Sequence, residues 1–164
     1  APKPPHFPRE QNPMKLQSSL LSASLLVSLT LSCSHGAPAK SQYVVTGAGA
    51  PHFALGPTGS SVQLLLNPAT GSRELSMNVL YLKPGATVPL HQHPHSDEAV
   101  YIQSGSVKMT IGEEILVARA GDAVYIPAGA QHSAEVLEGE DLNAVQVYVG
   151  PGPEQRFTKG RRLQ

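Results

Sequence analysis

Three histidines and one glutamate have the spacing of a metal site. His91 and His93 are two residues apart, so on a strand their side chains would point to the same face. Glu98 follows a Pro-containing turn and can return along the neighbouring strand, and His132 begins another strand after a Pro-x-Gly turn. Three neutral imidazoles and one carboxylate suit Mn, Fe, Co, Ni, Cu or Zn. Four protein ligands would leave an octahedral ion two open positions, enough for a substrate and dioxygen or water.

The composition excludes several other classes of function. The net charge is zero and charged residues make up 15% of the chain, so no basic excess points to nucleic acid or to an anionic membrane surface. A single Cys excludes an intrachain disulfide and a multi-cysteine metal site. The 164 residues suit one domain plus ends, and 15 Gly with 15 Pro predict many turns and a β architecture.

The first 39 residues are predicted to be an upstream tail and a signal peptide. Residues 1–13 are Pro-rich, and Met14-Lys15 precedes an apolar run from Leu20 to Leu31 that is too short to span a bilayer. Met14 could be the true start. The signal could end at Cys33, which resembles a lipobox cysteine and would carry a lipid anchor, or at the A-x-A-like site that ends with Ala39. A buried core helix is the alternative interpretation of the apolar run. We expect a periplasmic, secreted or lipid-anchored protein.

From Ser41 onward the apolar runs are short and separated by turn signals. Alternation is clear in Val107, Met109 and Ile111, which indicates an antiparallel sheet with one buried face. No helical stripe of three or more turns is apparent. Many short strands at regular spacing predict a sandwich or barrel. The strands are predicted near residues 42–46, 61–66, 74–82, 98–103, 106–111, 114–118, 123–126, 132–136 and 142–149.

Two motifs make the resemblance specific. The first, GATVPLHQHPHSDEAVYIQSG, runs from Gly85 to Gly105, and the second, GDAVYIPAGAQH, runs from Gly121 to His132. They resemble the two motifs of the cupin superfamily, G-x5-H-x-H-x3-4-E-x6-G and G-x5-P-x-G-x2-H-x3-N. Every fixed position matches except the last, where Val136 replaces Asn, which is not a metal ligand in the family. The short loop between the motifs is similar to that of small single-domain bacterial cupins.

The resemblance implies a fold and a ligand set. The fold is an all-β antiparallel jelly roll, a double-stranded β-helix, over residues 40–164 with a short C-terminal tail. The metal would be held inside by His91, His93, Glu98 and His132, and such cupins are often homodimers. The ending Pro151–Phe157 also resembles that of many small cupins. In it Arg156 could meet an anionic substrate at the barrel mouth, or could serve a structural or dimer role.

Two functions stay open at this level, because the fold serves many activities. The first is a metal-dependent enzyme, dioxygenase-like, that acts on a small organic molecule. Fe or Mn is favoured there, and Glu98 could act as a base if it loosens from the metal. The second is a non-catalytic module that binds a small ligand or a metal outside the cytoplasm. A degenerate cupin with a satisfied polar core and no metal is a further alternative.

Overall fold

The structure, a computed structural model, describes residues 43–164. The predicted tail, signal peptide, lipid-anchor residue Cys33 and cleavage site at Ala39 lie outside the described residues. Within the described part, no helix combines the length and apolar character needed to cross a membrane.

Strands dominate residues 43–164, and the helices there are three short 3-10 turns. The 3-10 turns are Gly47–Gly49, Pro68–Thr70 and Pro153–Lys159. The strands are β1 His52–Leu55, β2 Ser60–Leu66, β3 Leu75–Leu82, β4 Thr87–His91, β5 Asp97–Ser104, β6 Ser106–Ile111, β7 Glu114–Arg119, β8 Ala123–Ile126, β9 His132–Val136, β10 Leu142–Val149 and β11 Arg162–Leu163.

The strands form two antiparallel sheets. The larger has the order β11-β1-β2-β3-β10-β5-β8, and the smaller has the order β4-β9-β6-β7. Sequential strands are therefore often separated in space; β5, for example, lies beside β10 and β8 in the larger sheet, whereas β4 and β6 belong to the smaller one. This exchange between two facing sheets is the jelly-roll arrangement, and the all-β prediction is confirmed.

The core lies between the two sheets. Val62 and Ile102 from the larger sheet are fully buried, and Val107 and Met109 from the smaller sheet belong to the same hydrophobic cluster. Lys108, between the last two, is exposed. The predicted alternation along β6 is therefore correct, and it directs the apolar side chains of this strand to the inside of the barrel.

Gly105 closes the first motif because no side chain fits there. Its φ of 79° lies in the left-handed region. A Cβ at this position would also lie 2.8 Å from the carbonyl oxygen of Asp141. The tight connection from β5 to β6 therefore depends on glycine for both its conformation and its packing.

The strand predictions need correction at four places. Residues 43–46 are not a strand, and Tyr43 and Val44 are exposed; the edge beyond β1 pairs instead with β11. In contrast, β1, β4 and β11 were not among the predicted strands, and in β4 Pro89 interrupts the pattern. The strand tolerates this proline because β4 is at the edge of its sheet, and its pairing with β9 is irregular between Val88 and His91.

Candidate metal centre

The two motifs meet at one end of β4 and β9. His91 is the last residue of β4, His132 is the first of β9, and the two are register partners. Their ring centroids are 4.1 Å apart. His93 is two residues beyond β4, in the loop that leads to β5, so the two first-motif histidines do not share a strand. The irregular end of β4 nevertheless brings both rings to the same centre.

The loop that carries His93 is held by the turn of the second motif. The backbone N–H of Gly129 donates to the carbonyl oxygen of His93 at 2.9 Å. The N–H of Ala128 donates to Oδ1 of Asp97 at 2.8 Å, so Asp97 also connects the two motifs. The Pro-Ala-Gly turn of the second motif thus holds the first-motif loop, which carries His93, in place.

Glu98 approaches from the opposite sheet. It is the second residue of β5, so it does not return along the strand next to β4 as expected. The structure nevertheless places its Oε2 3.3 Å from Nε2 of His93 and 3.3 Å from Nε2 of His132. The side chains of Glu98, His93 and His132 are all buried. The predicted site residues therefore come together across the barrel interior.

The histidine nitrogens are arranged for coordination. One ring nitrogen from each of His91, His93 and His132 lies within 4.8 Å of the other two. The Nδ1 of His91 contacts the carbonyl oxygen of Pro89 at 2.8 Å, and that of His132 contacts the carbonyl oxygen of Ala130 at 2.9 Å. A carbonyl can only accept, so each Nδ1 carries the proton and each Nε2 presents a lone pair.

Four buried polar atoms at this centre have no hydrogen-bond partner. They are Nε2 of His91, His93 and His132, and Oε2 of Glu98. The 3.3 Å contacts to Glu98 are within ion-pair distance but do not complete hydrogen bonds. Orphaned buried polar atoms are costly, and four that face one point fit a metal ion that would satisfy them together. We call these four residues the ligand set.

Charge at the centre favours an ionised carboxylate. Burial raises the pKa of Glu98. The contacts with His132 and His93 and the hydrogen bond from Gln146 lower this pKa by more than burial raises it, so its value is about 2. Burial is the main cause that lowers the pKa of His91. Burial also lowers the pKa of His132, but the contacts with Glu98 and with the Ala130 carbonyl raise it above its usual value. Protons would therefore compete with a metal for His132.

Gln146 is a site residue that sequence reasoning missed. It lies on β10 and its Nε2 donates to Oε1 of Glu98 at 2.6 Å. Its own Oε1 faces Nδ2 of Asn78 at 3.4 Å. Both Gln146 and Asn78 are buried, between apolar neighbours on their strands. A polar residue on the buried face of a strand was the available signal.

A cavity of about 690 Å³ adjoins the ligand set. His91, Glu98 and His132 line it, and most of its wall is apolar. The apolar side chains of Val100, Ile102, Val107 and Met109 are part of the wall, whereas Ile111 packs against the core but does not line the cavity. The site therefore combines a candidate metal centre with room for a small organic molecule.

Comparison with known proteins agrees with this geometry. A family model for the Cupin domain matches residues 78–148, which include all four members of the ligand set. The chain belongs to the cupin superfamily. The uncharacterized protein SCO3923 of Streptomyces coelicolor is 34% identical over 80 residues, which are 48% of this chain and 73% of that protein.

Two solved structures are also similar to this chain. Bacillus subtilis oxalate decarboxylase, a protein with Mn(II) centers, is 30% identical with a TM-score of 0.56, over 64% of this chain and 29% of that one. A predicted oxalate decarboxylase from Thermotoga maritima is 25% identical with a TM-score of 0.55, over 66% of this chain and 99% of that one. The chain spans only 15% of Escherichia coli mannose-1-phosphate guanylyltransferase 2 and 57% of the polyketide synthase CurC of Streptomyces cyaneus.

The residue by which this cupin departs from the second motif does not belong to the site. Val136 is 2% exposed and belongs to the hydrophobic core. It lies at the end of β9, four residues beyond His132. The replacement of Asn by Val therefore leaves the ligand set unchanged.

Proposed function

We propose that this cupin is a metal-dependent enzyme, dioxygenase-like, that acts on a small organic molecule held inside the barrel. One observation carries the proposal: four buried and unpartnered ligand atoms face one centre beside a largely apolar cavity of about 690 Å³. A merely structural polar cluster would satisfy its own hydrogen bonds, as buried groups usually do. A degenerate cupin without a metal would be expected to pair these four atoms with hydrogen-bond partners.

The metal would be held by the Nε2 atoms of the three histidines and by Oε2 of Glu98. This donor set suits several divalent transition metals, and we favour Fe or Mn over Zn, Ni, Co or Cu. The Mn(II) centers of the related Bacillus subtilis enzyme support Mn as one of the two. A bound redox-active ion would supply Lewis acidity and dioxygen chemistry.

The protein supplies few proton-transfer groups around the cavity. Among the described residues, Glu98 is the only carboxylate in the cavity wall. Its low pKa keeps it ionised, and Gln146 holds its second oxygen. Glu98 could act as a base only after its Oε2 leaves the metal. A reaction that depends on a separate carboxylate acid or base is therefore less well supported than one in which the metal does most of the work.

The same scarcity of acid and base groups favours a second candidate function. A module that binds a small ligand or a metal without turnover needs only the cavity and the ligand set. The two functions make different predictions for oxygen consumption. The full-length protein would be loaded separately with Fe(II) and Mn(II), and oxygen uptake would be recorded with catechols, flavonols, diketones and thiols. Metal-dependent uptake that His93→Ala abolishes supports the enzyme; no uptake with any compound supports the binding module.

The proposed assembly is a homodimer. Tyr81, Tyr101 and Tyr125 are exposed on the larger sheet, on β3, β5 and β8, where Tyr101 pairs with Val145 and Tyr125 pairs with Ala99. An apolar sheet face of this kind suits a second copy of the chain. Light scattering after chromatography would test this, with Tyr101→Lys expected to shift a dimer toward monomer and Lys108→Gln, on the other sheet, expected not to.

Export is proposed from the sequence alone. The support is the apolar run that follows Met14-Lys15 and precedes Cys33. We expect the mature protein to begin at or beyond Cys33 and to be periplasmic, secreted or lipid-anchored. Mass spectrometry of protein made in its native host would test this; a mature chain that retains Ala1 contradicts it.

A further inference from the structure

One arginine and no lysine line the cavity within the described residues. Arg156 lines it together with His91, Glu98, His132 and Gln146, within the described residues. These polar groups contrast with the rest of the wall, which includes Leu80, Val100, Met109 and Leu142. The cavity also reaches solvent, since exposed residues such as Thr87 and Pro89 are part of its lining. A ligand that fills it would meet an apolar wall and a cation.

Arg156 is held in place by its neighbours. It belongs to the 3-10 turn Pro153–Lys159, and its Nη2 donates to the hydroxyl oxygen of Tyr148 at 3.2 Å. Its guanidinium carbon lies 4.8 Å from the ring centroid of Phe157. Tyr148 is fully buried and its ring packs against His93, with centroids 5.0 Å apart. The guanidinium is therefore fixed between the C-terminal turn and the ligand set, and little rotamer freedom would be lost on binding.

The charge of Arg156 has no counter-ion in the described part of the chain. No ion pair there includes Arg156. Glu98, in the same cavity wall, contacts Gln146 and the histidines. Glu154, in the same 3-10 turn, accepts hydrogen bonds from Ser76 and Gly152. Only one of the five guanidinium N–H groups is used by Tyr148, so the fork that binds carboxylates remains free.

The positive charge of Arg156 also acts on the histidines of the metal centre. Burial is the largest cause that lowers the pKa of His91, and the positive charge of Arg156 adds to it. The same charge opposes the rise in the pKa of His132. Because Arg156 lines the same cavity as His91, Glu98 and His132, one small anion held there could contact both the guanidinium and the metal centre.

We propose that the ligand of this cavity is a small organic anion with an apolar body, and that Arg156 binds its carboxylate or enolate oxygens while the body fills the barrel interior. The inference rests on the proposed function, because it concerns the same cavity. A ligand of this kind differs from oxalate, because oxalate has two carboxylates and no apolar body that could contact the apolar wall. Arg156 is then a specificity-determining residue, and Tyr148 positions it.

The test compares acids with their neutral amides. Binding of butanoate, hexanoate and octanoate, and of butanamide, hexanamide and octanamide, would be measured by calorimetry on the full-length zinc-loaded protein, because zinc is redox-inert. We expect wild type to bind at least one acid about 10- to 100-fold more tightly than its amide, the range for a charge-assisted hydrogen bond. Arg156→Gln should bring that ratio close to one without weakening the amide, and Arg156→Lys should give an intermediate ratio.

Matched controls separate this inference from the metal proposal. Arg73→Gln removes an exposed arginine outside the cavity wall and should leave the ratio unchanged. Tyr148→Phe, which removes the acceptor for Arg156, should reduce the ratio while leaving zinc content unaltered. Equal affinity for acids and amides in wild type overturns the inference. So does a preference for acids that survives Arg156→Gln and is lost in His93→Ala, since the metal would then hold the anion. Protein that binds no metal but keeps an Arg156-dependent ratio contradicts only the metal proposal.

Discussion

Gln146 donates a hydrogen bond of 2.6 Å to Oε1 of Glu98, although 48 residues separate the two along the chain. The bond occupies one carboxylate oxygen and leaves Oε2 directed toward His93 and His132. Asn78 in turn contacts the amide oxygen of Gln146, which fixes the orientation of the amide. Three neighbouring strands of the larger sheet thus present a single oxygen to the centre, the role that supporting residues have in metal sites.

Gln146→Leu should weaken metal binding while preserving the fold. Leucine has a similar size but cannot hold the Glu98 carboxylate, so we expect metal affinity to fall about 10- to 100-fold. Competition with a chelator would measure the affinity, and thermal unfolding of the metal-free proteins would check the fold. Gln103→Leu, an exposed position on β5, is the matched control and should bind metal like wild type. Unchanged affinity in Gln146→Leu would show that Glu98 is oriented by other contacts or is not a ligand.

His93→Ala should lose most of the metal. The remaining three ligands would leave the shell open on the side of the first-motif loop. Elemental analysis of protein purified in parallel would measure metal content, with His95→Ala as the control because His95 is exposed in the same loop. Metal binding by wild type should also weaken as the pH falls, since protons compete for the imidazoles. Equal metal in wild type and His93→Ala would remove His93 from the ligand set.

The ligand set could be predicted from sequence because its information is local. Gly85, Gly105, Gly121 and the intervening ligands lie within two short motifs, so their spacing is visible without knowledge of the fold. What could not be predicted is which sheet supplies each residue. Glu98 comes from the sheet opposite β4, and His93 lies beyond the end of β4. Both positions depend on contacts between strands that are distant in sequence, such as the irregular pairing of β4 with β9.

The contacts of Gln146 and Arg156 could not be predicted from the sequence either. Gln146 was assigned to a strand correctly, and its neighbours Ala144 and Tyr148 face inward with it, but nothing in the sequence states which buried partner it meets. Arg156 was recognised as a residue that could bind an anion or stabilise the structure. Choosing between these required its position in the cavity wall and its lack of an ion pair in the described chain.

Glu98→Gln should separate metal binding from oxidative turnover. The amide keeps the shape of the side chain but removes its negative charge from the ligand set. Affinity for a divalent ion should fall about tenfold, while an oxidised metal should lose more because it depends more on anionic donors. We expect the fold and part of the metal to remain and most oxygen consumption to disappear.

Oxygen uptake and ligand binding, measured at equal metal loading, would test this separation in Glu98→Gln. Full turnover in the variant would exclude Glu98 from the mechanism. A protein without turnover in either form, but with altered ligand affinity, would support the binding module.

Glu154 gives the fold a pH dependence that is independent of the metal. Its carboxylate is fully buried, and it accepts hydrogen bonds from Ser76 at 3.0 Å, from the N–H of Gly152 at 2.6 Å and from Gln155 at 2.9 Å. Burial raises the pKa of this carboxyl, but the bonds from Gly152, Gln155 and Ser76 outweigh burial, so the pKa is below its usual value. The unfolded chain therefore binds the proton more readily than the folded protein does.

The sign of the effect follows from this difference. The stability contributed by Glu154 is complete above about pH 4.3, the value for an unfolded glutamate, and is lost as the pH falls through the lower folded pKa. Glu154→Gln places an N–H₂ donor among groups that donate, so at neutral pH it should lower the free energy of unfolding by about 1–3 kcal/mol. The difference in unfolding free energy between wild type and the variant should be constant from pH 5 to 7 and should shrink as the pH falls below about 4.3.

Urea unfolding in the presence of a chelator would measure this difference, with the exposed Glu140→Gln as a control expected to match wild type throughout. A difference that persists unchanged to pH 3 would show that the Glu154 pKa is the same in the folded and unfolded chains.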